Sequence, residues 1–223
     1  MSSSEPVVIT IDGPSGAGKG TLSQMLARHT GYHLLDSGAL YRLVALAALN
    51  VGADLNDQHQ MAKIASELDV IFNVDAGSTQ ILLGGRDVTN NIRHETVSMS
   101  ASQIAAYPSV RVALLQRQRE FAKLPGLIAD GRDMGTTVFP HAQTKIFLTA
   151  SPEARAQRRY KQLAAKGEAV DMDMLIKDIS ERDERDSNRS VSPLRPAEDA
   201  VIIDSTSMAI DEVFAKILTA VKQ

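Results

Sequence analysis

The 223-residue sequence contains no cysteine and no tryptophan, and only 4% of its residues are aromatic. Without cysteine the chain can form no disulfide bond, thiol nucleophile or thiolate metal site. Its five histidines are scattered without the spacing of metal ligands. Serine, histidine and aspartate form no recognisable nucleophile motif. These absences leave no support for covalent side-chain catalysis or for a histidine-based metal centre.

The sequence also lacks long apolar runs and a strong charge of either sign. No run reaches the length that crosses a membrane, and the start, Met-Ser-Ser-Ser-Glu-Pro, has neither the basic residues nor the apolar core of a signal peptide. The net charge of −3 argues against a general nucleic-acid-binding surface. We expect a cytoplasmic protein, monomeric since no dimerisation segment is evident, with no nucleic-acid or membrane partner.

The most informative stretch that is present, residues 12–21, reads Asp-Gly-Pro-Ser-Gly-Ala-Gly-Lys-Gly-Thr. It lies between the apolar run 7–11, which is typical of a buried strand, and a helical pattern over residues 22–29. A strand, a glycine-rich loop, a lysine and a helix in this order predict a cradle for a polyphosphate. Backbone N–H groups and the helix N-terminus then face the anion. An ordinary glycine-rich turn is the alternative interpretation, which the complete context disfavours.

The spacing matches the P-loop pattern through Lys19, which is expected to reach the β- and γ-phosphates of a nucleotide. Gly20 then replaces the usual serine or threonine, whose hydroxyl helps to hold Mg²⁺. Thr21 is a candidate for supplying that hydroxyl, and we expect Mg²⁺ to be held more by the nucleotide phosphates and water than by the protein. The predicted ATP-binding residues are Gly13, Pro14, Ser15, Gly16, Ala17, Gly18, Lys19, Gly20 and Thr21.

Five short apolar runs predict an α/β fold, a five-stranded parallel sheet with helices on both faces. Three of these runs end at an aspartate, and ligands of open α/β sheets bind beyond the carboxyl ends of the strands. We therefore expect Asp12, Asp36 and Asp130 at one site. The predicted strands are residues 7–11, 33–35, 127–129, 145–148 and 201–203.

Three further patterns lie outside these runs. Alternating apolar residues predict a small β-meander over residues 69–88, with a turn at Ala76-Gly77-Ser78. Residues 210–221 have the periodicity of an amphipathic helix. A helix is also predicted over residues 151–166, with Ser151 as its N-cap.

Arginines cluster in two segments that are predicted to be helical. One interpretation is a pair of solvated helices with ion pairs, because acidic residues are interleaved with the second set. The other, which the P-loop favours, is a closing lid that places guanidinium groups on a transferring phosphoryl group and excludes water. The clustered residues are Arg155, Arg158 and Arg159, and then Arg182, Arg185 and Arg189, which are spaced to share one helix face.

Polar motifs follow two of the strands. Asp36-Ser37-Gly38 precedes Tyr41-Arg42, and a hydroxyl near an arginine suits an acceptor phosphate or a plain helix N-cap. Asp130-Gly131-Arg132-Asp133 follows a later strand and suits either a structural ion-pair cluster or a substrate site. The residues alone leave both alternatives open.

Taken together, these blocks resemble the nucleoside monophosphate kinases, and among them the bacterial cytidylate kinases. The resemblance extends over nearly the whole chain. Its first block is shared across these kinases, where Gly-Lys-Gly-Thr is usual, and the other blocks together with the β insert make it specific. The blocks are residues 11–21, 35–42, 128–135, 181–186 and 188–189.

The resemblance implies ATP-dependent phosphorylation of CMP, and of dCMP, to the diphosphate, with Mg²⁺ as cofactor. It implies a core of residues 1–40, 103–150 and 192–223, an acceptor-binding lobe over 41–102 with a β insert at 69–97, and a lid over 151–191. It gives catalytic roles to Lys19, Arg132, Arg158 and Arg189. The implied CMP-binding residues are Ser37, Arg42, Arg132 and Arg189 for the phosphate, Arg182 and Asp186 for the ribose, and Ser102, Arg111 and Asp133 for the cytosine, with Gly131 as a further CMP-binding residue.

Two other functions remain open at this stage. A kinase of the same fold could use another acceptor, such as UMP, AMP or shikimate. A P-loop switch would instead produce a conformational output, although the sequence contains neither Asn-Lys-x-Asp nor Asp-x-x-Gly. The choice of acceptor distinguishes the first alternative from a cytidylate kinase. Nucleotide hydrolysis that does not depend on any acceptor would favour the second.

Overall fold

A computed structural model describes residues 5–75, 78–165, 167 and 169–221. The chain divides into two compact units, one formed by residues up to 36 and from 119 onwards, the other by residues 37–118. The strands are β1 Val7–Asp12, β2 His33–Asp36, β3 Val70–Asp75, β4 Ser78–Leu83, β5 Arg86–Asp87, β6 Gly126–Gly131, β7 Thr144–Thr149 and β8 Val201–Asp204. The helices are α1 Lys19–Thr30, α2 Ser37–Asn50, α3 Gln58–Ser66, α4 Glu95–Ile104, α5 Pro108–Arg119, α6 Pro152–Ala164, α7 Met172–Ser187 and α8 Ile210–Val221.

The first unit is built on a five-stranded sheet in the order β2-β6-β1-β7-β8. Every neighbouring pair is parallel, which confirms the predicted sheet and all five of its strands. Each strand extends one or two residues beyond its apolar run, because the polar residue at the carboxyl end still pairs with its neighbour. Asp12 pairs with Gly131, and Asp36 pairs with Asp130.

Helices flank this sheet, as predicted, and they supply most of the remaining core of the first unit. Leu22 and Leu26 of α1 and Val213 and Ile217 of α8 are buried against the apolar residues of the central strands. Such burial is worth about 1.5–3 kcal/mol for each large side chain. The predicted C-terminal helix is therefore confirmed as a packing element.

Two further helices of the first unit have clear caps. Ser151 accepts a hydrogen bond from the Ala154 N–H at 3.2 Å, and Pro152 occupies the first turn of α6, as predicted. Asp171 accepts from two N–H groups at the start of α7. The prediction that Arg189 shares a helix face with Arg182 and Arg185 is wrong, because α7 ends at Ser187 and Asn188 caps it. Serine and asparagine are weak helix formers, so the helix stops before Arg189.

The second unit contains α2 to α5 and a separate antiparallel sheet in the order β3-β4-β5. This sheet confirms the predicted β-meander, while residues 76 and 77 of its predicted turn lie outside the described residues. The strands end at Asp87, and a 3-10 turn, Asn91–Arg93, leads into α4. The bounds of the acceptor-binding lobe and of the lid stay predictions. Among the described residues, no helix has the length and apolar character needed to cross a membrane.

Candidate active site

The glycine-rich loop of the first unit runs from the end of β1 to the start of α1, as predicted. Two of its glycines are required by geometry. A Cβ on Gly13 would lie 1.9 Å from the carbonyl oxygen of Leu148 on β7, so no side chain fits there. Gly18 caps α1 with a φ of 98°, a conformation that favours glycine. The loop therefore brings its backbone close to the sheet and leaves the first amides of α1 available to an anion.

Lys19 is the first residue of α1, and only 6% of it is exposed. Its Nζ donates to the carbonyl oxygen of Pro14 at 2.9 Å, which holds the amine within the loop. Burial lowers the pKa of Lys19 to about 7 and nearby Arg132 adds to this effect, while Asp130 and Asp12 oppose it. A polyphosphate placed here would supply the negative charge that the buried amine needs in order to stay protonated.

The three predicted carboxylates do end neighbouring strands, but their surroundings differ. Asp36 is exposed, whereas Asp130 and Asp12 are buried. Asp12 accepts hydrogen bonds from the N–H groups of Met134 and Gly135, both at 2.8 Å. Burial raises the pKa of Asp12 to about 7, although these two hydrogen bonds favour the charged form. The described residues contain no cluster of three or more acids or histidines that could hold a metal ion by itself.

Asp186 on α7 is the anion that holds two of the predicted acceptor arginines. It is 1% exposed, and its Oδ2 accepts from Arg132 Nε at 3.0 Å while its Oδ1 accepts from Arg189 Nη2. Burial alone would raise the pKa of Asp186, but the charges of Arg132, Arg189 and Arg182 outweigh it and keep that pKa below its usual value. The structure thus brings Arg132 to Asp186 and Arg189, although Arg132 lies 54 residues before Asp186 in the sequence.

A second carboxylate of α7 reaches the phosphate loop through Arg155, which the sequence indicated only as a member of the arginine cluster. Arg155 is 2% exposed and donates to the Ser15 carbonyl oxygen at 3.0 Å. It also forms a two-bond ion pair with Asp183. A Cβ on Gly16 would lie 3.2 Å from the Arg155 Cβ, so the loop packs directly against α6. The interleaved acids and arginines were visible in the sequence, but their partners were not.

Arg158, predicted to act in catalysis, lies one turn further along α6. Its Nη1 donates to the Ala17 carbonyl oxygen at 3.3 Å and to Ser205 Oγ at 3.2 Å. Its Nη2 donates to the Ser205 carbonyl oxygen. Arg158 is therefore placed against the phosphate loop, and its catalytic role stays a prediction.

The remaining predicted residues of the acceptor site lie in the second unit. Ser37 begins α2, and its buried hydroxyl donates to Gln118 Oε1 at 2.7 Å. Gln118, whose Nε2 donates to the Leu114 carbonyl oxygen, had no signal in the sequence. Arg42 lies on the second turn of the same helix.

Two predicted base-reading residues also belong to this unit. Arg111 donates to the Ala105 carbonyl oxygen at 3.0 Å, and its guanidinium carbon lies 5.5 Å from the centre of the Tyr41 ring. This cation–π geometry fixes the direction of the side chain. The Ser102 hydroxyl is buried and has no hydrogen-bond partner among the described residues. A buried hydroxyl without a partner is costly unless a ligand supplies one.

Comparison with known proteins identifies the family. The family model described as cytidylate kinase matches residues 9–223. A cytidylate kinase from Aeromonas salmonicida is 58% identical over 216 residues, covering 97% of this chain and 94% of the relative. One from Vibrio cholerae is 56% identical over 218 residues, covering 98% and 96%. The crystal structure of TT1252 from Thermus thermophilus aligns at 19% identity over 98% of this chain and 97% of that one, with a TM-score of 0.48. The chain belongs to the cytidylate kinase family.

The ion pairs of Asp186 predict how stability depends on pH. Because its pKa is lower in the folded than in the unfolded state, Asp186 stabilises the fold above the unfolded pKa, and this contribution is lost as the pH falls through the folded pKa. We expect wild type to exceed Asp186→Asn in free energy of unfolding by about 1.5–3 kcal/mol at pH 7. That difference should shrink below pH 4.

Urea unfolding of both proteins between pH 7 and pH 3 measures this difference. Glu184→Gln, which changes an exposed acid of the same helix, should alter the free energy of unfolding by less than about 0.5 kcal/mol at pH 7. A difference between wild type and Asp186→Asn that stays constant over the whole range would mean that the carboxylate charge contributes nothing.

Proposed function

We propose that this member of the cytidylate kinase family transfers the γ-phosphoryl group of ATP to CMP, yielding CDP and ADP in pyrimidine nucleotide metabolism. It is a nucleoside monophosphate kinase, and we include dCMP as a second acceptor. One observation of the structure carries the proposal. The first unit contains both a phosphate loop with a buried lysine and a pair of arginines, Arg132 and Arg189, held by one buried carboxylate. Two phosphate-binding sets in one unit suit a donor and an acceptor that are both phosphorylated.

ATP is assigned to the glycine-rich loop. Its backbone N–H groups and the N-terminus of α1 would surround the β- and γ-phosphates, with Lys19 as a point charge. Two features support this assignment. The close packing of Gly13 against β7 fixes the path of the loop, and Gly18, in a left-handed conformation, places no side chain over the N-terminus of α1. All residues from Gly13 to Thr21 are proposed to bind ATP.

CMP is assigned to the residues that the resemblance to the cytidylate kinases implies. Ser37, Arg42, Arg132 and Arg189 would bind its phosphate, because guanidinium groups and hydroxyls are strong donors to phosphate oxygens. Asp186 and Arg182 would hold the ribose. A carboxylate has about four lone-pair positions, and the two arginines of Asp186 use two of them, so it can still accept from a ribose hydroxyl.

The base is assigned to Ser102, Arg111, Asp133 and the backbone at Gly131. Cytosine presents an exocyclic amine, and a carboxylate such as Asp133 can accept from it. Uracil has an oxygen at that position, so no proton would lie between it and Asp133. An unpaired buried polar group costs about 1–3 kcal/mol, and more when it is charged. Asp133 is 3% exposed, which makes that cost relevant here.

Mg²⁺ would accompany ATP. Hard cations prefer oxygen ligands, and Mg²⁺ commonly keeps several waters and binds substrate phosphates together with one or two carboxylates. The oxygens near the start of α1 fit this pattern. A Cβ on Gly20 would lie 3.7 Å from Asp130 Oδ2, so this carboxylate borders the loop, and Thr21 follows with its hydroxyl. When bound, the cation neutralises charge on the phosphates that react.

The mechanism needs positioning and charge neutralisation more than proton transfer. The transition state of phosphoryl transfer is loose, and its charge is spread over the phosphoryl oxygens. Lys19, Arg132, Arg158 and Arg189 would supply positive charge to it, together with the amides of the loop. No strong general base is required, because the acceptor is already a phosphate oxygen. A cytoplasmic location and a monomeric state stay predictions of the sequence.

Acceptor choice tests the function. We expect rapid ADP release from Mg-ATP with CMP and dCMP, and kcat/KM for UMP lower by at least about tenfold, the penalty of one unpaired buried group. AMP, GMP and shikimate at equal concentration complete the comparison. Equal rates with CMP and UMP would contradict the role of Asp133. Preference for another acceptor, or ATP loss independent of every acceptor, would contradict the proposed reaction.

Loss of the loop lysine tests the donor site. Lys19→Ala should lower kcat by about 10²-fold or more, as for removal of one preorganised donor to the transition state. Lys216→Ala, which changes an exposed lysine of α8, should retain the wild-type rate. Steady-state rates of Lys19→Ala within tenfold of wild type would show that the buried amine is not part of the catalytic machinery.

A further inference from the structure

Asp12 occupies a position between two functional segments of the first unit. It is the last residue of β1, the middle strand of the five-stranded sheet, and is followed directly by the phosphate loop. Only 4% of it is exposed. The assignments of ATP and CMP above give this side chain no role, although a buried carboxylate at such a point needs an explanation.

Both oxygens of the carboxylate are occupied by the segment that follows β6. Oδ1 accepts from the Met134 N–H and Oδ2 from the Gly135 N–H, each at 2.8 Å. These are the first two amides of a π-helical turn, Met134–Val138. Amides at the start of a helical turn have no partner within it, and a negative charge at that end is favourable. Asp12 thus clamps the start of this turn to β1.

Packing around Gly135 holds the same segment close to the sheet. A Cβ on Gly135 would lie 2.9 Å from Thr10 Oγ1 on β1 and 3.2 Å from Lys145 Cδ on β7. The absence of a side chain therefore allows the backbone to approach Asp12. The turn closes on Asp133, the residue just before it, whose carbonyl oxygen accepts from the N–H groups of Thr137 and Val138, at 2.9 and 3.2 Å.

The clamp leaves little freedom to the two residues that precede it. Gly131 is fixed by pairing with Asp12 in the sheet, and Met134 is fixed by hydrogen bonding to the Asp12 side chain. Only Arg132 and Asp133 lie between these two anchors. Asp12 therefore determines the path of this short backbone segment at both ends. The side chains of the segment are those assigned above to the acceptor phosphate and to the cytosine.

We infer that Asp12 is a positioning residue for the acceptor, which sets the directions of Arg132 and Asp133 through its two backbone hydrogen bonds. This inference rests on the proposed function. It assigns to Asp12 no contact with either nucleotide. It also distinguishes Asp12 from a general stabiliser of the fold, because the loss of its hydrogen bonds should affect one substrate selectively.

Charge gives the two substrates different expectations. The negative charge of Asp12 favours the protonated form of Lys19, and the same charge repels the phosphates of ATP. Replacing Asp12 by a neutral residue removes both effects, which act on ATP binding in opposite directions. ATP binding should therefore change little in such a variant, while CMP binding should become weaker because Arg132 and Asp133 are displaced.

Asp12→Asn is the variant of choice, because it keeps the shape but offers only one acceptor oxygen to two N–H groups. We expect the Kd of CMP to rise at least tenfold, the Kd of ATP to stay within threefold, and the CMP-to-UMP ratio of kcat/KM to drop at least threefold. Hydrogen exchange at the Met134 and Gly135 amides should accelerate. Calorimetry, steady-state kinetics and nuclear magnetic resonance measure these quantities on the full chain.

Two matched variants control for other effects. Asp57→Asn changes a carboxylate of the second unit that also accepts from two N–H groups, those of His59 and Gln60, both at 3.0 Å. Ile217→Val loosens the core of the first unit without touching the clamp. Both should leave the Kd values of CMP and ATP within twofold of wild type.

Equal weakening of CMP and ATP in Asp12→Asn, or unchanged CMP binding, overturns the inference. If Asp12→Asn does not fold, Gly135→Ala pushes the same segment away from Thr10, and it should likewise weaken CMP and spare ATP. The acceptor preference of the wild-type protein distinguishes failure of the proposed function from failure of the clamp. A wild type without preference for CMP refutes the proposed function, whereas a CMP-selective wild type with an indifferent Asp12→Asn refutes the clamp alone.

Discussion

The ion pairs of the buried Asp186 carboxylate are the interaction on which the proposed acceptor site of the first unit depends. The guanidinium groups of Arg132 and Arg189 repel each other, and Asp186, which accepts hydrogen bonds from both, is the anion that offsets this repulsion. A buried ion pair contributes little net stability, but removing one partner leaves an uncompensated charge. This arrangement instead holds the side chains of Arg132 and Arg189, which are proposed to bind the acceptor phosphate, in defined directions before any substrate binds.

Helix α7 carries a second ion pair of this kind. Its Asp183, one turn before Asp186, pairs with Arg155, which in turn donates to the Ser15 carbonyl oxygen of the phosphate loop. One helix therefore carries the counter-charges for Arg132 and Arg189 and for an arginine that contacts the phosphate loop. Phosphate oxygens bind guanidinium groups by the same two-bond geometry as carboxylates. Under the proposed function we expect the CMP phosphate to compete with Asp186 for Arg132 and Arg189, which would connect acceptor binding to the position of this helix.

The sequence was sufficient where local pattern decides structure. Apolar runs identified all five strands of the parallel sheet, and the spacing of glycines and Lys19 identified the phosphate loop. Prediction from the sequence failed where the end of a helix, or a partner distant in sequence, determines the position of a side chain. Arg189 falls beyond α7 because Ser187 and Asn188 end the helix, although its spacing suggested a shared face. The partners of Arg155, Ser37 and Asp12 come from other elements, so no local periodicity reveals them.

Arg189 is proposed to bind the acceptor phosphate and not ATP. Steady-state kinetics of Arg189→Ala, with Arg185→Ala as a matched control for an exposed arginine of α7, are the decisive measurement. We expect Arg189→Ala to raise the KM for CMP at least about tenfold, as for the loss of one charge-assisted hydrogen bond, and to lower kcat. The KM for ATP should change little, and Arg185→Ala should resemble wild type. An equal rise in the KM values of CMP and ATP would refute the acceptor role of Arg189.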